Sequence, residues 1–137
     1  MMRFAVLLGM FLMTAGNHAL AKAPDWKPLA IADDHSSWLF LDPASIVRKQ
    51  KTASARVLLE YAEIVPGMPE TGDQPYIMVR SLISFNCANK TLLLLEEEYL
   101  DGNDALLGEA DVSDATWDPV LSESLIEPVY DAVCSKK

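Results

Sequence analysis

Hydrophobic and polar positions alternate through the middle of the chain and regroup near its end. From Tyr76 onward Ile77, Val79, Ile83, Phe85 and Cys87 fall on one face with Ser81, while Met78, Arg80, Leu82, Ser84 and Asn86 take the other. That period of two marks a half-buried strand and points Cys87 inward. Ala88-Asn89-Lys90 then makes a turn in which Asn89 tolerates a left-handed backbone, and Thr91 to Leu100 returns as the next strand. The two strands form a hairpin.

Upstream, Ser36 to Leu41 reads as a short strand that Asp42-Pro43 stops. Aspartate is a good N-cap and proline suits the first helical position, so Asp42 to Ile46 predicts one helical turn. After the polar turn Lys49-Gln50-Lys51, Ala53 to Val65 is rich in β-branched and aromatic residues and reads as a longer strand. The following segment, Pro66 to Pro75, contains Gly67, Gly72 and three prolines, which predicts a mobile loop.

The period changes after Ser124-Leu-Ile-Glu127, a capping-box pattern that predicts a helix from about Leu125 to Cys134. Ile126, Val129, Tyr130, Val133 and Cys134 then form one apolar stripe, with Pro128 in the first turn. The fold class is therefore α+β, an antiparallel β-sheet with a C-terminal helix. Because Cys87 and Cys134 each lie on an apolar face, a bond between them would clamp helix to sheet.

The N-terminal stretch has its own pattern: Arg3, an apolar run from Phe4 to Met13, and the small residues of Ala19-Leu20-Ala21. That run is too short to span a bilayer, and the whole predicts an export signal over residues 1–21, cut before Lys22. Residues 22–137 are one domain's worth of chain, with no transmembrane segment. The expected location is outside the cytoplasm, in the periplasm or at the cell surface. Such compartments oxidise thiols, and two cysteines allow one intramolecular bond. The alternative, two free thiols or a metal pair, lacks the clustered ligands a metal site needs.

Charge narrows the partner. Lys22 to Lys90 balances eight acidic against eight basic residues, whereas Thr91 to Lys137 has twelve acidic residues and only Lys136 and Lys137 basic. Phosphate binding needs a basic footprint, so nucleic acid and anionic membrane surfaces are disfavoured. Acidity serves solubility, or it docks a basic protein partner; Glu96, Glu98 and Asp101 are the candidate partner-binding residues.

Catalytic chemistry finds no support. His35, the one histidine beyond the leader, sits in the polar run Asp33-Asp34-His35-Ser36 with no nucleophile motif around it and reads as a surface residue. Nucleotide-loop and zinc motifs are missing, so no cofactor is expected. The carboxylates of Glu96-Glu97-Glu98 and Asp101 to Asp104 depart from a calcium loop, since Ala105 occupies the third ligand position. Alternation also separates Glu97 from Glu96 and Glu98, and the cluster reads as a solvated strand end without a metal. Asn89-Lys90-Thr91 matches a glycosylation sequon that the turn already explains.

Trp38 to Ile46, Phe85-Asn-Cys87, Tyr99, Gly108, Trp117-Asp-Pro-Val120 and Val133-Cys134, in this order and spacing, resemble the surface-adhesin E-like family of small exported bacterial proteins. The resemblance covers nearly all of residues 22–137. It implies an antiparallel sheet with a C-terminal helix tied back by a Cys87 to Cys134 bond, and a non-catalytic module binding host extracellular-matrix or envelope proteins. The alternative is a periplasmic accessory or inhibitor protein that docks a basic partner through its acidic C-terminal half. This chain departs from the family's lipid-anchored type, because no cysteine lies near the leader's end and no lipid anchor is expected.

Overall fold

The computed structural model describes residues 24–135. The leader and its cleavage before Lys22 lie outside these residues. The described residues fold as an eight-stranded antiparallel sheet with one C-terminal helix. The strands are β1 (Lys27–Ile31), β2 (Ser37–Leu41), β3 (Val47–Lys49), β4 (Thr52–Val65), β5 (Tyr76–Asn86), β6 (Thr91–Leu100), β7 (Leu106–Glu109) and β8 (Asp118–Pro119); the helix is α1 (Glu127–Cys134). Their order across the sheet is β1-β2-β4-β5-β6-β7, with β3 also on β4 and β8 also on β6. No described helix is long and apolar enough to cross a membrane.

The expected helical turn forms as a short 3-10 helix over Pro43–Ser45, where the Asp42 carboxylate accepts from the Ala44 amide. The main core lies on one face of the sheet, where Ala55, Phe85, Val129 and Val133 are fully buried. Val129 and Val133 are one helical turn apart and together press α1 onto β4 and β5. Burying each contributes about 1.5–3 kcal/mol. Leu58, Met78 and Leu100 form a second, smaller cluster, with Trp26, Phe40 and Ile77 packed on it. Ile77 was expected beside Val79. It joins the second cluster instead, because the pairing of β4 with β5 slips between Glu60↔Met78 and Val65↔Tyr76, next to it.

Two local expectations are corrected. In the β5–β6 turn the left-handed residue is Lys90 (φ 57°). Asn86 closes the turn, its carboxamide oxygen accepting from the Ala88 amide and its carbonyl from the Lys90 amide. The capping box does not form either: α1 begins at Glu127, and the Ser124 hydroxyl donates backwards to the Leu121 carbonyl. Proline suits the first positions of a helix better than the edge of its first turn, and in α1 Pro128 is the second residue. Glu127 still reaches back, but its carboxylate accepts from the Glu123 amide.

Candidate functional site

Helix α1 is fastened over only part of the sheet face. Cys87, just past β5, is bonded to Cys134, the last helical residue, 47 positions later in the sequence, with Cα atoms 5.5 Å apart. The Tyr130 hydroxyl donates to the Cys87 carbonyl (3.1 Å), and the Tyr130 ring meets Phe85 edge-on. Arg48 donates to the carbonyls of Val133 and Ser135, filling acceptors that a helix C-terminus leaves open. At the other end Lys90 and Glu127 pair at 2.7 Å. The hydrogen bond between them raises the Lys90 pKa and lowers that of Glu127.

The rest of that face remains a groove of about 430 Å³, bounded by Leu125 and Ile126 ahead of the helix and by Met68 on the opposite side. Its floor comes from alternate residues of β4 and β5, among them Val57, Leu59, Val79 and Ser81. A bulge in β6 sets its far wall. Leu82 pairs with Glu96 but Ile83 pairs with Leu94, so Leu95 is left over and the facing of every later residue is reset. Leu92 and Leu94 pack on the core, and beyond the bulge Glu97 and Tyr99 take over that face opposite Ser81 and Val79.

Three tyrosines and one carboxylate meet there. The Tyr99 hydroxyl donates to Oε1 of Glu97 (2.6 Å). Its ring stands edge-on to Tyr76 (centroids 5.1 Å apart), and Tyr76 stands edge-on to Tyr61 (6.2 Å). Burial, reinforced by the bond to Glu97, pushes the Tyr99 hydroxyl far above the ordinary tyrosine pKa. Burial also raises Tyr61, helped by Tyr76 and Glu97.

The rim segment is more ordered than its prolines and glycines suggested. Pro69–Thr71 forms a 3-10 turn in which the buried Thr71 hydroxyl donates to the Gln74 carbonyl and accepts from the Met68 amide.

The sequence-derived partner residues lie elsewhere. Glu96 pairs with Arg56 (3.2 Å) and Glu98 with Arg80 (3.0 Å), on the sheet face opposite Glu97. Asp101 is not with them; its carboxylate accepts from the amides of Asn103 and Ala105 and shapes the β6–β7 turn. His35 sits exposed at a turn with φ 58°, and Asn89 is also exposed. Among the described residues no group of three or more His, Cys, Asp or Glu side chains is placed to hold a metal ion. Sequence reasoning missed Glu97 and the tyrosine row. The available signal was the Glu97, Tyr99 spacing of two, which puts acid and aromatic on one strand face.

Comparison with known proteins gives a single answer. The sequence profile of the family described as surface-adhesin protein E matches residues 26–135. Crystal form II of Haemophilus influenzae protein E superposes with a TM-score of 0.61 at 16% identity, over 84% of this chain and 94% of that one. Its selenomethionine form gives 0.59 at 16% identity, over 82% and 92%. Protein E from non-typeable Haemophilus influenzae gives 0.57 at 13% identity, over 78% and 74%. At such identities the likeness is one of fold. No curated protein sequence matches the chain.

Proposed function

The chain belongs to the surface-adhesin protein E family, and from that premise we propose that it is an exported, non-catalytic binding module that holds a protein partner in the groove beside α1. The observation that carries this reading is the half-covered sheet face: α1 is clamped over one part, and the rest is a groove with an aromatic and aliphatic lining and one carboxylate. Concave apolar surfaces with a few placed polar groups are where ligands bind. Host extracellular-matrix or envelope proteins are the partner class in this reading. Residues 1–21 are the export signal and 22–137 the working domain, located in the periplasm or at the cell surface without a lipid anchor. Mass spectrometry of the exported protein should find Lys22 first.

The test is binding to immobilised, purified matrix proteins by the wild type and by a Tyr61→Ala, Tyr76→Ala double variant. Loss of two aromatic anchors should weaken binding about tenfold or more. Equal binding by a variant with an unchanged thermal unfolding curve would rule out the groove.

One observation favours the second reading, a periplasmic accessory or inhibitor protein docking a basic partner. Glu109, Asp111, Asp114 and Asp118 are exposed and, among the described residues, take no part in an ion pair.

A further inference from the structure

The groove lining is apolar and tyrosyl apart from Ser81 and Glu97, and Glu97 brings its only formal charge; no Lys, Arg or His lines it. An ionised carboxylate has about four acceptor sites, and among the described residues only the Tyr99 hydroxyl donates to that of Glu97. The nearest arginines in register, Arg56 and Arg80, lie on the opposite face and are held by Glu96 and Glu98. The carboxylate of Glu70 adds to the negative potential around Tyr99. A site with apolar walls, aromatic rings and an uncompensated negative group is complementary to a cation carried on an aliphatic stem.

Within the binding role proposed above, on which this step rests, we infer that the groove receives a lysine side chain of the partner protein. The methylenes lie along the aliphatic floor near Leu59 and Val79, and the ammonium meets Glu97 beside the tyrosine row. Lysine fits better than arginine because Oε1 of Glu97 is already engaged by Tyr99. Tyr99 takes one of the acceptor sites on Oε1, which narrows the approach of a planar guanidinium fork, whereas an ammonium is satisfied as a point charge by any of the sites left.

The experiment uses the exported protein and four peptides of the form acetyl-Gly-Gly-Xaa-Gly-Gly-amide, with Xaa lysine, norleucine, arginine or glutamate. Binding is followed by the ring resonances of Tyr61, Tyr76 and Tyr99. The lysine peptide should shift all three rings and half-saturate at about tenfold lower concentration than its norleucine isostere, which lacks the ammonium. Glu97→Gln should abolish that difference and leave the norleucine response in place; its carbonyl can still accept from Tyr99, so the wall is retained. Should the variant fail to fold, the lysine and norleucine comparison in the unaltered protein decides alone. Equal saturation by lysine and norleucine, or stronger binding of the arginine or glutamate peptide, would overturn the lysine site and leave the apolar groove standing. Rings that no peptide shifts would overturn the groove as well.

Discussion

A β-carbon on Gly108 of β7 would overlap the carbonyl oxygen of Glu70, so the 3-10 turn at the groove rim rests backbone to backbone on the sheet edge. At Gly67 the same segment closes on itself, because a β-carbon there would overlap the Asp73 carbonyl. These two positions hold the rim in place through the lack of a side chain. Gly102 has open space around it.

Gly108→Ala and Gly67→Ala should each lower the unfolding free energy by about 1–3 kcal/mol, the usual cost of forcing atoms into filled space. Gly102→Ala should leave the denaturation midpoint nearly unchanged. The same midpoint for all three would show that the turn moves aside freely.

The disulfide closes a long loop, and its removal relaxes the unfolded chain as well as freeing the helix. Reduction, or Cys134→Ser, should cost about 2–5 kcal/mol of stability. Tyr130 and Arg48 remain as non-covalent ties of α1 to the sheet, so the reduced protein should lose protection first in the helix. Hydrogen exchange with and without reductant measures both effects; an unchanged midpoint would contradict the clamp.

Alkaline pH tests the tyrosine row. Tyr99 and Tyr61 have folded-state pKa values raised above the ordinary value. The unfolded chain therefore releases these protons first. Their contribution to stability is complete below about pH 10 and declines as pH rises above it. Phenolate absorbance should show delayed titration, and Glu97→Gln should bring Tyr99 part of the way back. Burial is its larger cause, so full reversion would mean that the ring is not packed as described.

Periodicity made the hairpin, the long strands and the apolar stripe of the helix legible, because each buries one face and a shifted register would expose it. Two cysteines on apolar faces made the bond between Cys87 and Cys134 legible as well, and the resemblance agreed with it. What stayed hidden were events that a regular period does not encode. The bulge at Leu95 switches the facing of the three glutamates; unbroken alternation from Leu92 and Leu94 would have turned Glu96 and Glu98 toward the core and Glu97 away. The helix starts later than the capping pattern marks, with Pro128 as its second residue, a position that suits proline better. The groove was invisible for a simpler reason: it is the part of a face that a short helix fails to cover.

Which carboxylates meet a partner is decided by the two faces of β6. Glu96 and Glu98 already have arginine partners, and Glu98 is the more buried of the two. The Glu96→Gln, Glu98→Gln, Asp101→Asn triple variant therefore does more than remove negative charge, because it also frees Arg56 and Arg80 on that face. The exposed Arg56–Glu96 pair contributes about 0–1 kcal/mol and the half-buried Arg80–Glu98 pair more, so the fold should survive, with Glu98→Gln costing more than Glu96→Gln. If the partner sits in the groove, on the opposite face, the triple variant should keep its affinity and lose only a small part of its association rate at low salt, through the long-range field. Glu97→Gln, a single neutralisation, should weaken binding more than all three together. Association rates of wild type, triple variant and Glu97→Gln against the same immobilised matrix protein, at low and high salt, separate the possibilities. A rate that falls about tenfold or more at low salt in the triple variant alone would move the partner to the outer, acidic face and favour electrostatic docking of a basic protein.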